Sequence, residues 1–174
     1  IMTSDNGWQV PRGLAGCYDL GVRIPMAARY PARLGGGVRR DDFVSLLDLA
    51  PTFLEAAGIE VPRGVTGKSL FGKTRRSSMF LERERHANVR RGDLSYPVRG
   101  IRTREYLYLW NIEPDRWPAG DPELYWAVGP YGDVDNSLSK QLLLREKPAP
   151  YFDLVFGKRP SEELYDVRKD PNQV

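Results

Sequence analysis

Two runs near the middle of the chain, Tyr96–Thr103 and Glu105–Ile112, limit its architecture most. In both, apolar side chains alternate with charged or polar ones, and only a tight turn separates them. A period of two puts every second side chain on one face, so the pair predicts two strands with one buried and one wet face. A further strand is expected over Ser78–Glu82, and a short last one over Glu163–Asp166. Spacing through Leu138, Leu142 and Leu143 predicts a helix from Ser137 to Glu146. This half therefore reads as a small antiparallel sheet backed by a helix. An aromatic loop from Pro114 to Gly132, holding Trp117 and Trp126, connects the two.

The first half has a different texture. Asp42–Gly58 carries the clearest helix signal, with Asp48 as N-cap, Pro51 in the first turn and Gly58 just past the end. Leu49, Phe53, Ala56 and Ala57 fall on one face and read as a core-packing stripe. Ile24–Tyr30 reads as a strand closed by Pro31, following a tight turn at Gly21. Gly35-Gly36-Gly37 is a flexible surface connection. The polar, Gly-, Lys- and Arg-rich stretch from Pro62 to Arg76 reads as a linker and places a subdomain boundary near Gly72, dividing the chain into 1–72 and 73–174.

Chemistry-bearing residues cluster at the start. Ile1-Met2-Thr3-Ser4-Asp5-Asn6-Gly7 reads as the end of a buried strand turning into a loop, and in open α/β sheets ligands sit beyond such strand ends. A carboxylate beside a neutral amide offers hard oxygens that suit calcium or magnesium better than zinc. Asp-Asn-Gly is also ordinary turn chemistry, and the tripeptide alone favours the turn. Arg12 is the one cation in the loop Trp8–Gly16; its fork of donors matches sulfate, phosphate or carboxylate, or is simply solvated. His86, the single histidine, lies among Glu82, Glu84 and Arg85, either solvated or bordering a neighbouring cleft. Cys17 reads as a small buried hydrophobe rather than a nucleophile.

Composition narrows the classes. With 26 Lys plus Arg against 23 Asp plus Glu, the formal charge is +3, which permits an anionic substrate without demanding nucleic acid. Asp48 interrupts the best apolar run, leaving none long enough to span a membrane. One cysteine excludes an internal disulfide. The chain starts inside a strand pattern and ends without an obvious stop, so part of a longer polypeptide is expected, with some of the chemistry outside it.

Taken in order, Thr3–Gly7, Tyr18–Pro25, Val44–Thr52, Tyr96–Arg99, Glu163–Asp166 and Lys169-Asp170-Pro171 resemble the formylglycine-dependent sulfatases. The resemblance is greatest to the heparan N-sulfatase (sulfamidase) branch and its bacterial relatives. It implies the C-terminal part of an alkaline-phosphatase-like α/β sheet followed by a small antiparallel sheet with a helix. It also implies a Ca2+ site, with Mg2+ a lesser fit, in which Asp5 and Asn6 match the second pair of ligands. The family nucleophile is a formylglycine made in a Cys/Ser-x-Pro/Ala-x-Arg motif. No such motif is present, and Cys17, followed by Tyr18, Asp19 and Leu20, does not fit one; the nucleophile is expected upstream of residue 1 and the chain alone is expected to be inactive. Leu14 occupies the position where many relatives carry a sulfate-contacting cation, and Arg12 is expected to take that contact. Glu84 and His86 are expected to meet sugar hydroxyls. The implied partner is a sulfated saccharide, without nucleic acid or membrane, in a periplasmic, secreted or lysosomal setting. A phosphoester or phosphonate hydrolase of the same superfamily, and a non-catalytic module for anionic glycans, are the competing readings.

Overall fold

A computed structural model describes residues 1–73, 76–123 and 129–174. Trp126 of the aromatic loop therefore lies outside the described residues. The chain forms two compact units: residues 1–2 with 26–79, and residues 3–25 with 80–174. No helix among the described residues is long and apolar enough to cross a membrane.

In the first unit, β2 (Met26–Ala27) pairs with β1 (Met2–Thr3). The strand expected over 24–30 is thus only two residues long. Pro25 and Pro31 flank it without N–H groups to extend a ladder, and the Arg33 and Leu34 amides fold back onto the Tyr30 carbonyl at 3.0 and 2.8 Å. After the one-turn helix α1 (Asp19–Val22), which belongs to the second unit, helix α2 spans Leu49–Ala56, preceded by a 3-10 turn over Leu46–Asp48. Gly58, at φ +72°, ends it as expected, with the Ile59 amide reaching the Leu54 carbonyl at 2.9 Å.

Two expectations about this helix need correction. Asp48 does not cap α2 with its side chain; it closes a capping box with Ser45, whose amide donates to Oδ2 at 2.8 Å. The same carboxylate accepts from the Lys68 amide at 2.7 Å and from both Arg76 terminal nitrogens at 2.5 and 2.6 Å. Nor is the stripe of Leu49, Phe53, Ala56 and Ala57 the covered face: Phe53 is 54% exposed, whereas Asp48, Pro51 and Thr52 are buried. The helix turns its polar hub inward because the Thr52 hydroxyl accepts from the Leu70 amide at 2.9 Å and donates to the Asp48 carbonyl at 2.5 Å.

In the second unit, β3 (Ser78–Arg83), β4 (Val98–Thr103), β5 (Tyr106–Asn111) and β6 (Glu162–Asp166) form one sheet in that order. β4 pairs antiparallel with β5 through Gly100 opposite Leu109, and β5 with β6 through Leu109 opposite Glu163. The alternation holds: Leu107 and Leu109 are buried beside Tyr96, Val98, Val167, Cys17 and Tyr18, while Trp110 is half-exposed. A second apolar cluster, Ala119, Tyr131, Val134 and Phe156, receives Leu143 and Leu144 of α3 (Leu138–Glu146) and Phe152 of α4 (Tyr151–Phe156).

Helix α3 sits where its spacing predicted, but Leu138 is 85% exposed and Leu142 is also solvent-facing. The buried position is Lys140, whose ammonium donates to the Tyr131 and Val134 carbonyls at 3.1 and 2.7 Å. Ser137 caps this helix through the Lys140 amide. Helix α4 was hidden in the sequence by Pro148 and Pro150 just before it.

The Asp48 hub carries a stability prediction. Burial by itself raises the Asp48 pKa, but bonds from Arg76 and from the Lys68 and Ser45 amides override it and hold the carboxyl below the usual carboxylate range. Its stabilisation is therefore fully present above about pH 3.9 and is lost as pH falls through the folded value. Asp48→Ala strands a largely buried Arg76 and is expected to cost about 3–5 kcal/mol in urea unfolding at neutral pH. A variant as stable as the parent would refute the hub.

Candidate functional site

All five residues singled out for function (Asp5, Asn6, Arg12, Glu84 and His86) lie in the second unit. The early loop that carries the first three is built on close backbone contact. The Gly7 amide donates to the Gly21 carbonyl at 2.9 Å and the Trp8 amide to the Leu20 carbonyl at 3.2 Å. A Cβ at Gly7 would lie 2.2 Å from the Leu20 carbonyl oxygen, and one at Gly21 would lie 2.3 Å from that of Gly13. Only glycine permits this approach. The turn before Gly7 is shaped by the Ser4 hydroxyl, which donates to the Asn6 carbonyl at 2.8 Å.

On this pinned loop the Asp5 side chain is exposed and Asn6 half-buried. Among the described residues, neither the Asp5 carboxylate nor the Asn6 amide makes a hydrogen bond or ion pair. No group of three or more His, Cys, Asp or Glu side chains gathers to hold a metal among the described residues. In kind, the two oxygens fit a hard cation; in number, they form part of a coordination sphere.

Arg12 is a brace. Its two terminal nitrogens donate to the Leu154 carbonyl at 2.9 Å and to the Gln173 carbonyl, and its guanidinium lies 3.8 Å from the Tyr18 ring centroid. Asp19 adds a second tie, accepting from Arg102 Nε and Nη2 at 2.8 Å each while its amide donates to the Gln173 side chain at 2.9 Å. Between them, the buried Tyr18 hydroxyl donates to Glu163 Oε2 at 2.8 Å.

Glu84 and His86 line one cleft of ≈ 400 Å³, together with Ala15, Cys17, Glu82 and Arg85. Glu84 is paired with Arg99, and His86 Nδ1 lies 3.3 Å from Asp133 Oδ1. The cleft thus joins the loop after Arg12 to the segment after β3, which sequence reading had linked only through a family likeness.

Asp133 is the residue that sequence reading missed. It is buried and accepts from Arg83, from Arg90 at 2.7 Å and from the Ala87 amide at 3.2 Å, besides facing His86. Gly132-Asp133 looks like any turn, and no local signal announces a hub. Burial holds the Arg83 guanidinium below its ordinary pKa. A smaller cavity of ≈ 50 Å³ lies on the sheet side, lined by Arg12, Cys17, Tyr18, Arg83 and Tyr96 among others.

A family model described as N-sulphoglucosamine sulphohydrolase, C-terminal, matches residues 15–118. The chain is 27% identical over 180 residues to an ulvan-active sulfatase of Formosa agariphila, covering 98% of this chain and 28% of that protein. It is 26% identical over 187 residues to the N-sulphoglucosamine sulphohydrolase of Homo sapiens, covering 100% of this chain and 36% of that protein. The chain therefore spans about a third or less of these relatives. Among solved structures, a putative sulfatase from Bacteroides thetaiotaomicron matches 90% of this chain and 25% of its own, with a TM-score of 0.53 and 21% identity, a likeness of fold.

Cys17 gives this region a direct probe. Burial pushes its thiol up to about 11, so the reactive thiolate is absent well below that pH. Iodoacetamide at pH 8 is expected to leave native Cys17 unmodified and to label it promptly in urea, as read by intact mass. Equal labelling rates in both conditions would contradict the burial.

Proposed function

Because the chain belongs to the family of N-sulphoglucosamine sulphohydrolase C-terminal portions, we propose that it forms part of an enzyme hydrolysing sulfate esters or sulfamates of saccharides. It contributes one corner of a metal site and one wall of the saccharide pocket. The observation that carries this reading is the pair Asp5 and Asn6, hard oxygens left unspent on a loop whose backbone is fixed by Gly7 and Gly21. Such a pair suits Ca2+ ahead of Mg2+, and since calcium takes about six to eight oxygens the remaining ligands come from other segments. When bound, the cation draws charge from the sulfate oxygens and favours ionisation of the nucleophile.

The chain's own residues then bind and orient. Arg12, held by the Leu154 and Gln173 carbonyls, is the cation proposed to meet a sulfate oxygen and stabilise charge that grows there as sulfur is attacked. In the cleft, the Glu84 carboxylate accepts from sugar hydroxyls and His86 meets a neighbouring one. Arg99 and Asp133 hold these two side chains in place. The nucleophile, a formylglycine, belongs to another segment: no motif for it occurs here, and Cys17 is buried. A sulfated saccharide is the partner; neither nucleic acid nor a membrane enters the reading.

The test uses a polypeptide joining this chain to a formylglycine-bearing segment. Asp5→Ala is expected to weaken calcium binding, measured by calorimetry, by roughly 10–100-fold or more, with sulfatase turnover falling in step. Unchanged calcium affinity and turnover would remove Asp5 from the metal site. Arg12→Ala is expected to lower kcat/KM on the sulfated substrate, and an unchanged value would reject the sulfate contact.

A further inference from the structure

The cavity of ≈ 50 Å³ is lined by Arg12, Arg83 and Arg159 against only Asp133 and Glu163. Both carboxylates are already committed. Asp133 serves Arg83, Arg90 and the Ala87 amide, and Glu163 accepts from the Tyr18 and Tyr165 hydroxyls and the Asn111 amide. Two guanidiniums thus share one buried carboxylate. Three buried polar atoms have no hydrogen-bond partner among the described residues: Arg83 Nε, Arg90 Nη1 and the Tyr96 hydroxyl. Arg90 is 2% exposed and Tyr96 1%. Orphaned polar atoms at such depth are rare in folded proteins and call for a partner. All three can donate, and the Arg83 and Arg90 guanidinium carbons lie 5.6 and 5.5 Å from the Tyr96 ring centroid, so both cations flank one aromatic ring.

The geometry points to a buried binding site for a small inorganic anion of the halide class, held in this cavity by Arg83 Nε–H and the Tyr96 hydroxyl. Arg90 lies outside the lining, but by competing for the Asp133 carboxylate it leaves Arg83 only partly neutralised. Size agrees: a water needs roughly 10–15 Å³ of such volume, so ≈ 50 Å³ has room for a monoatomic ion. Burial pushes the Tyr96 phenol up to about 12, which keeps it a neutral donor. The anion offsets the second guanidinium, a charge that burial otherwise makes costly. Arg83 lines both this cavity and the cleft of Glu84 and His86, so the ion steadies a side chain common to the two. The site shares Arg12 with the proposed sulfate contact, yet the halide test needs no sulfatase activity.

The experiment replaces gluconate by chloride at fixed ionic strength and follows thermal unfolding of the full chain. Crystals grown in sodium bromide are measured in parallel at the bromine edge. The expected result is a saturable rise of Tm with chloride and an anomalous peak beside Arg83 Nε and the Tyr96 hydroxyl. Tyr96→Phe, which keeps the ring and removes the donor, is expected to weaken the halide dependence several-fold. A flat Tm with ordered water in place of a bromide peak would overturn the proposal, as would a halide response that Tyr96→Phe leaves intact. If that variant does not fold, the bromide map of the parent chain still decides.

Discussion

A single buried carboxylate, that of Glu163, joins the beginning of the second unit to its end. Leaving a carboxylate away from water is costly unless donors surround it. Here three neutral donors do so, the hydroxyls of Tyr18 and Tyr165 and the amide of Asn111, at 2.8, 2.6 and 2.8 Å. Tyr18 belongs to the early loop, Asn111 to β5, and Glu163 and Tyr165 to β6, so one side chain closes a sequence gap of 145 residues. The ring of Tyr18 in turn supports Arg12, which ties the same loop to the Leu154 and Gln173 carbonyls.

This arrangement gives the proposed site its stiffness. A metal corner needs ligands that do not have to be ordered at the moment of binding. Close contact between the Gly7 and Gly21 backbones, and the anchoring of Tyr18 and Asp19 below, fix the main chain under Asp5 and Asn6 while leaving their side chains unengaged. The cleft is steadied in a comparable way. Asp133 gathers Arg83, Arg90 and His86, so the segment after β3 is organised by a residue from a distant loop.

Periodicity exposed what local physics decides. The alternation of 98–103 and 106–111, the capped helix after Ser137 and the Gly58 helix end are all present, because each depends on neighbours a few residues away. What failed depended on distant partners. Phe53 and Leu138 look like core residues at helical spacing, yet Asp48 and Lys140 are the buried ones, since the former meets Arg76 and the latter the carbonyls of Tyr131 and Val134. Glu84 and His86 stand out in the sequence, a lone histidine and its neighbour in a charged loop, and the structure puts both on one cleft. Asp133 does not stand out, because a buried hub and a surface turn share the same dipeptide. The attachment of residues 3–25 to the late strands was equally hidden, as no pattern in either segment names the other.

The most direct measurement is a double-mutant cycle on Tyr18→Phe and Glu163→Gln, followed by urea unfolding. If this contact fastens the early loop to the sheet, the two changes are non-additive, with a coupling of about 0.5–3 kcal/mol. Additivity within about 0.3 kcal/mol would show that the loop is held by something else and would contradict the account.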